Sequence, residues 1–269
     1  MSDPMHLHIK HITRYRFSGP VTYGLQQLRK TPKTTRAQQI LTWSTSIENG
    51  RKEADFTDHH NNAVELISFD RDTTELTVTS QGEVVLEDVS GVLGRHLGPA
   101  PLWLYEQATK RTEAKSGARA LIRKVDEPDP LDRLHALSKT IRDSVAFQVG
   151  ASEPSWSAED AISHGKGVCQ DHTHIFLACA RAMGFPARYV SGYLMLDDRT
   201  AQDAMHAWAE AHVEALGWVG FDISNGISPD TRYVRVATGL DYADAAPITG
   251  TRIGGPEERL EVEIDVIQQ

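Results

Sequence analysis

Two cysteines occur in this chain of 269 residues, and the sequence around the first of them suits nucleophilic chemistry. Cys169 closely follows a Gly-Lys-Gly break and precedes apolar residues at helical spacing, so it is predicted at the N-terminus of a helix. The unpaired backbone N–H groups and the positive dipole end of such a helix stabilise a thiolate and can hold a developing oxyanion. Cys169 is therefore predicted to be the nucleophile of an acyl-transfer reaction.

Two strand-like segments downstream carry the partners that such a cysteine requires. A nucleophilic thiol needs a histidine to accept its proton and a third group to orient that histidine. His206 begins one segment and Asp222 ends the next. If the two segments form a hairpin through residues 215–217, the imidazole and the carboxylate become neighbours across the ladder. Cys169, His206 and Asp222 are therefore predicted to act together as a catalytic triad.

The second cysteine has a different predicted role. Cys179 lies ten residues further along the same helix, on its apolar face, and glycine and proline at 184 and 186 end that helix. We predict that Cys179 packs in the core and is chemically inert. Two cysteines are too few for a disulfide framework, so neither is predicted to form a structural bridge.

A metal centre is the alternative interpretation of the histidines that follow Cys169. His172 and His174 are two residues apart on a helix and point about 200° apart, so they cannot chelate one ion together. The chain shows neither the spacing of zinc ligands nor an acidic loop that resembles an EF-hand. We therefore predict no metal and no cofactor.

The elements that must position these residues fall into two groups. The first ninety residues show the alternation of antiparallel strands, and the middle of the chain changes to helical spacing. Strands are predicted at residues 7–17, 64–69, 75–79, 83–87, 188–196, 205–213, 217–222, 232–237 and 260–266. Helices are predicted at 99–124 and 131–145 and from Cys169 to residue 183.

Composition excludes several classes of protein. The net charge of −9 argues against a nucleic-acid partner, and no apolar run is long enough to cross a bilayer. The N-terminus lacks the apolar core of a signal peptide, so a cytoplasmic location with reduced thiols is expected. The expected partner is a peptide or protein substrate, or a small amide, and the oligomeric state is left open.

Three separated motifs in this order resemble the transglutaminase-like superfamily of papain-like cysteine enzymes. They are Gly-x-Cys-Gln-Asp at 167–171, His-Ala-Trp-x-Glu at 206–210 and Gly-Trp-x-x-Phe-Asp at 217–222. Further stretches resemble the markers of the bacterial branch with an N-terminal β domain, namely Tyr15 and residues 28–32, 58–62 and 239–247. The resemblance extends over nearly the whole chain.

The resemblance implies both a fold and a mechanism. The fold class is α+β, with an N-terminal antiparallel β-sandwich-like domain at 1–95 and a core at 96–269 in which a central helix packs on an antiparallel sheet. The C-terminal strand could return to the N-terminal domain. The implied mechanism is an acyl-enzyme reaction at an amide or ester carbonyl, with Cys169 as nucleophile, His206 as general base and then acid, and Asp222 as the group that orients His206.

The chain departs from the family's pattern next to two of these positions. His172 and Thr173 stand where an aromatic residue followed by a small one is usual, and Asp222 is followed by Ile-Ser in place of Pro-Thr. Near the C-terminus an arginine of the pattern is replaced by Leu240. These departures leave the three predicted catalytic residues unchanged and bear on substrate preference.

Substrate contacts and the reaction type are predicted less directly. Trp156, Gln170 and Trp208 are assigned to the substrate cleft, although core packing is the ordinary role of a tryptophan like Trp208. Hydrolysis is favoured over crosslinking because water is the default acceptor and no segment resembles an amine site. A protein-glutamine acyltransferase, a non-catalytic binding scaffold of the same fold and a metal-dependent hydrolase are the alternatives.

Overall fold

A computed structural model describes residues 4–153, 155–196 and 200–269 of the chain. Within these ranges the strands form two main antiparallel sheets, and the helices pack together beside the second of them. The fold is α+β, as the sequence predicts. No helix among these residues is long and apolar enough to cross a membrane.

The first sheet is organised around one long strand. Strand β1 (Met5–Leu28) buries alternate residues from Leu7 to Phe17, as its predicted half-buried pattern requires. It pairs along its first half with β5 (Thr73–Leu86) and near its end with β4 (Ala63–Phe69). Two further strands of this sheet are β2 (Gln38–Glu48) and β3 (Gly50–Thr57).

The C-terminal segment joins this first sheet. Strand β15 (Glu258–Gln268) pairs antiparallel with β1 from Leu7 opposite Gln268 to Phe17 opposite Glu258, and β14 (Ile248–Gly254) pairs with the end of β1. The short strand β10 (Ala201–Gln202) lies on the outer edge of β15. The two ends of the chain thus belong to one sheet.

The second sheet carries the motifs of the second half of the chain. Its strands are β6 (Val92–Gly94), β9 (Ala187–Leu194), β11 (His206–Val213), β12 (Gly217–Phe221) and β13 (Tyr233–Gly239). Their order in the sheet is β13–β9–β11–β12–β6, with every pair antiparallel. Strand β6 belongs to the predicted N-terminal domain by sequence, yet it pairs with β12 of this sheet.

One buried helix passes through the centre of the core. Helix α4 (Cys169–Ala182) is buried at every position from Asp171 to Arg181, and its apolar residues share one cluster with side chains of β1 and of the second sheet. The remaining helical elements are a 3-10 turn (Leu102–Glu106), α1 (Ser116–Ile122), α2 (Pro130–Ser144), α3 (Ala158–His164) and α5 (Tyr242–Ala245). A short parallel pair, β7 (Ala146–Phe147) and β8 (Lys166–Gly167), leads into α4.

In two regions the predicted elements differ from the structure. The helix predicted over 99–124 is wrong as a single element, because only the 3-10 turn and α1 are helical there. Between them the hydroxyls of Thr109 and Thr112 hydrogen-bond to nearby backbone N–H groups, which stabilises a turn instead of a helix. The strands predicted at 75–79 and 83–87 are one continuous strand, β5, which contains Gly82.

Candidate active site

Cys169 is the first residue of α4 and is half-buried. Val168, the residue before it, has no side chain that could cap the helix, so the backbone N–H groups of the first turn remain available to a ligand. Because helix N-termini stabilise negative charge, the position suits both a thiolate and an oxyanion. This is the placement that the Gly-x-Cys pattern predicts.

Asp171 fixes the chain that leads into Cys169. Its carboxylate Oδ2 accepts a hydrogen bond from the Val168 backbone N–H at 2.8 Å, and the side chain is almost fully buried. The space it occupies is available only because residue 167 is glycine: a Cβ there would lie 2.7 Å from the Cβ of Asp171. The glycine and aspartate of the first motif thus position the cysteine between them.

Replacement of Gly167 by alanine is expected to lower the free energy of unfolding by about 1–3 kcal/mol, because the added methyl group would displace the Asp171 side chain from Val168. Chemical denaturation measures this loss. Gly19→Ala is the matched control, since a Cβ at Gly19 would come no closer than 3.9 Å to another heavy atom outside its chain neighbours. Equal stability of the two variants would contradict this account of Gly167.

His206 and Asp222 lie at the same end of neighbouring strands and are hydrogen-bonded. His206 begins β11, Asp222 follows the last residue of β12, and the register pairs Ala209 with Phe221 between them. The imidazole Nε2 lies 2.6 Å from the Asp222 Oδ2. The hairpin therefore places the two side chains in contact, as predicted.

Further donors hold the carboxylate of Asp222 in place. Its Oδ2 accepts hydrogen bonds from the Tyr233 hydroxyl at 2.7 Å and from the Asn225 side-chain amide at 2.7 Å, and its Oδ1 accepts one from the Asn225 backbone N–H. Burial alone would raise the pKa of Asp222, but the hydrogen bonds and the charge of His206 hold it below the usual value. Asp222 is thus a fixed, ionised acceptor for the imidazole.

His206 interacts with Cys169 as well as with Asp222. Burial alone would lower its pKa, but the negative charge of the Cys169 thiolate, followed by the hydrogen bonds with Asp222 and Cys169, raises it to about 10. Because Nε2 is bound to Asp222, Nδ1 is the ring nitrogen left for the thiol. The three predicted residues are therefore linked in series, thiol to imidazole to carboxylate.

The Cys169→Ala variant is expected to lower the pKa of His206, because it removes the anion that favours the imidazolium form. In the wild-type protein the imidazole should stay protonated well above the ordinary histidine range, which is centred near about 6.5. NMR titration of the His206 ring in both proteins measures the difference. An unchanged midpoint would show that Cys169 and His206 do not interact electrostatically.

Cys169 and His206 border a cavity of about 350 Å³, and Asp222 lies behind His206, outside the lining. Gln170 lines this cavity beside Cys169, so its assignment to a substrate cleft stays a prediction that is compatible with its position. Trp208 is not brought to this cavity: it packs in a cluster with Tyr233 and borders a separate cavity of about 40 Å³. The ring of Trp156 stacks on His164, and the tryptophan is likewise absent from the lining.

The second cysteine lies in the core. Cys179 is fully buried, and its Sγ lies 3.6 Å from the Ala118 carbonyl oxygen, to which the thiol can donate a hydrogen bond. Burial raises the pKa of its thiol to about 12, which keeps it protonated. The two cysteines therefore differ in both exposure and electrostatic surroundings.

Sequence reasoning missed the contact between the two departures from the family motifs. The His172 Nδ1 lies 2.9 Å from the Ser224 hydroxyl, and its Nε2 lies 2.9 Å from the Val145 carbonyl oxygen. Helix α4 is thereby tied to the turn that follows Asp222. The two positions are 52 residues apart, so no local pattern in the sequence indicates that they pair.

His172→Phe and Ser224→Ala are expected to be coupled by about 1 kcal/mol in the free energy of unfolding, the usual net contribution of one hydrogen bond. Denaturation of the wild type, both single variants and the double variant gives this coupling. The matched control pairs His172→Phe with Ser163→Ala, an exposed serine on α3 whose effect should simply add. Additivity in both pairs would contradict the proposed link.

The partners of Asp222 could be predicted only in part. Asn225 follows Asp222 by three residues, a spacing typical of an Asx-stabilised turn. Tyr233 arrives from a different strand, and nothing near Asp222 in sequence indicates it. Among the described residues, no three histidine, cysteine, aspartate or glutamate side chains are grouped so as to hold a metal ion.

Two family models match the chain. The model of the transglutaminase-like superfamily matches residues 119–223, which include all three members of the predicted triad. The model of the bacterial transglutaminase-like N-terminal region matches residues 7–85, which contain β2 to β4 and most of β1 and β5. Both agree with the regions that the sequence motifs indicate.

Whole-chain relatives and one solved structure are also similar. An uncharacterized protein of Mycobacterium leprae (strain TN) is 26% identical over 274 residues, covering 97% of this chain and 98% of that protein. An uncharacterized protein of Mycobacterium tuberculosis (strain ATCC 25618 / H37Rv) is 27% identical over 290 residues, covering 96% and 91%. The crystal structure of a "putative cysteine protease" from Cytophaga hutchinsonii has a TM-score of 0.80 at 20% identity, covering 99% of this chain and 91% of that one; it establishes the shared fold.

Proposed function

This chain belongs to the transglutaminase-like superfamily, and from that premise we propose that it is a cysteine-dependent enzyme that hydrolyses amide bonds through an acyl-enzyme. The observation that most supports the proposal is that Cys169 and His206 line one cavity and that Asp222 is hydrogen-bonded to the His206 ring. A thiol at a helix N-terminus, a paired imidazole and a fixed carboxylate are the groups that acyl transfer requires.

The first half of the reaction forms a thioester. His206 holds the proton of the Cys169 thiol, and the thiolate attacks the carbonyl carbon of the amide. The carbonyl electron pair moves onto oxygen, where the backbone N–H groups at the start of α4 stabilise the negative charge. The C–N bond then breaks, and the His206 imidazolium gives its proton to the leaving amine.

The second half releases the acyl group. Water enters in place of the amine, His206 takes one of its protons, and the resulting hydroxide attacks the thioester carbonyl. The C–S bond breaks, and the products are a carboxylic acid and the Cys169 thiolate beside a protonated His206. Asp222 keeps the ring oriented through both halves, since its carboxylate is held by other donors.

An amine in place of water in the second half would make the enzyme an acyltransferase instead. The chemistry up to the thioester is the same in both cases, so the geometry of the triad supports either outcome. Hydrolysis is the proposed reaction because water, the solvent, is the default acceptor of the acyl group. A binding scaffold of the same fold would instead have no turnover at all.

The experiment is a screen of peptidyl and γ-glutamyl p-nitroanilides with and without monodansylcadaverine as an amine acceptor. The expected result is release of p-nitroaniline with a free carboxylic acid as the second product, and none of this in Cys169→Ala. A dansylated product formed in place of the acid would identify an acyltransferase. Turnover that survives in Cys169→Ala would overturn the proposal.

A further inference from the structure

The cavity that contains Cys169 and His206 is also lined by β1, from the opposite end of the sequence. His11, Thr13 and Tyr15 alternate along this strand, and all three border the cavity. Their side chains carry polar atoms although all are at least nine-tenths buried. A polar strand face that lines a cleft is suited to bind a polar group of a ligand.

Behind Thr13 lies a fully buried lysine. The exposed fraction of Lys30 is 0%, and its ammonium group donates a hydrogen bond to the Thr13 hydroxyl oxygen at 3.0 Å. Across the parts of the chain that the structure describes, the Thr13 hydroxyl is the one hydrogen-bond partner of Lys30, and no carboxylate forms a salt bridge with Lys30. A buried ammonium without a paired anion is energetically unfavourable.

Glu65, the acid whose charge acts on Lys30, does not pair with it directly. The charge of Glu65 favours the protonated form of Lys30, but the oxygens of Glu65 contact other side chains, namely those of Thr31, Thr45 and Lys52. Burial is the stronger influence and lowers the pKa of Lys30 to about 7. A second anion close to Thr13 would therefore be stabilised by a charge that the fold leaves unmatched.

The hydrogen bonds around Thr13 leave a donor for that anion. The His11 Nε2 lies 3.2 Å from the Thr13 hydroxyl oxygen, and the His11 Nδ1 lies 3.1 Å from the Tyr193 hydroxyl. With the proton on Nε2, both His11 and Lys30 donate to that oxygen, and the hydroxyl hydrogen of Thr13 is then free to donate into the cavity. The acid in the lining, Asp203, is exposed to solvent, where its opposing charge is screened.

We propose that this face of β1 is an anion subsite, in which Thr13, backed by Lys30, binds a carboxylate on the acyl part of the substrate. The inference rests on the proposed function, because it names the class of amide that Cys169 would attack. The same lining includes the apolar side chains of Ile248, Leu260 and Val262. The substrate class is therefore an amide whose acyl group carries a carboxylate at the end of a short aliphatic chain, as in γ-glutamyl or glutaryl amides.

The test compares two thiol reagents that differ only in charge. We would measure the second-order rates at which 3-maleimidopropionic acid and its neutral amide label Cys169, identified by peptide mass spectrometry. The rate for the acid divided by the rate for the amide should fall by about tenfold in Lys30→Met. This is the loss expected for one interaction with a charged group. Lys33→Met is the control: it removes the same charge three residues further along the chain and should leave the ratio unchanged.

Each outcome decides the matter. A ratio unaffected by Lys30→Met, or a Cys169 that neither reagent labels, would overturn the subsite. If Lys30→Met fails to fold, Thr13→Val removes the same contact and should give the same fall. Charge-dependent labelling without turnover of any amide would retain the subsite and reject the proposed function. Turnover of an amide with equal labelling rates for the two reagents would retain the proposed function and reject the subsite.

Discussion

Replacement of Cys169 by alanine is expected to lower kcat/KM for amide hydrolysis at least about 10³-fold. Removal of the nucleophile of a triad leaves only the stabilisation supplied by binding and by the oxyanion donors, so losses of this size or larger follow. The backbone donors at the start of α4 are unchanged by the substitution, and the half-buried side chain is small. The assay is steady-state hydrolysis of whichever p-nitroanilide the wild-type protein cleaves.

Cys179→Ala is the matched control for this prediction. It removes the other thiol of the chain, which lies fully buried in the core, ten residues along the same helix. We expect it to cost stability through the cavity it leaves and to retain activity in the folded fraction. If Cys179→Ala abolished turnover while Cys169→Ala retained it, the assignment of the two cysteines would be wrong.

Replacement of Asp222 by asparagine is expected to lower kcat by about 10³-fold or more. The amide has the size of the carboxylate but cannot stabilise the imidazolium, and its NH₂ group favours the wrong tautomer of His206. It also removes the acceptor for Tyr233 and for the Asn225 side chain, so some loss of stability should accompany the loss of activity. Steady-state kinetics together with a thermal unfolding curve separate the two effects.

The control for Asp222→Asn is Asp143→Asn. Asp143 is an exposed residue of α2 whose partner is Lys139, one turn earlier on the same helix. The same chemical change there should leave kcat within about twofold of the wild type, since exposed ion pairs contribute little. Equal activity of the Asp222 and Asp143 variants would remove the carboxylate from the mechanism.

Much of the candidate site could be predicted because its signals are local. The glycines before Cys169 mark the start of α4 and Gly184 with Pro186 mark its end, and the structure places the helix at Cys169–Ala182. The short turn between β11 and β12 fixes their register, which brings His206 and Asp222 to the same end. Each step depends on residues close together in the sequence.

The strands that were missed lack such local signals. Strand β3 is exposed at nearly every position, so no alternation of apolar and polar residues reveals it. Strand β5 is predicted as two segments, yet it continues through Gly82, where a Cβ would clash with the backbone carbonyl of Thr42 on β2. The reason for that glycine is therefore a neighbouring strand and not a turn.

The β1 wall of the cleft could not be predicted for a different reason. Its alternation from Leu7 to Phe17 predicts a strand with one buried face, and the structure has that strand. The pattern predicts that this face is buried, but it does not predict which part of the protein covers it. His11 and Thr13 reach the cavity of Cys169 through tertiary packing: β1 pairs with β15, about 250 residues away in sequence, and both strands line the cavity.

The central claim is that His206 activates Cys169, and the rate of alkylation of Cys169 by iodoacetamide tests it without a known substrate. At about pH 6 an unperturbed thiol is almost wholly protonated and reacts slowly. We expect rapid alkylation of Cys169 in the wild-type protein and in the control His135→Gln, an exposed histidine of α2, and a rate about 100-fold lower in His206→Gln. Equal rates in the wild type and in His206→Gln would contradict the account.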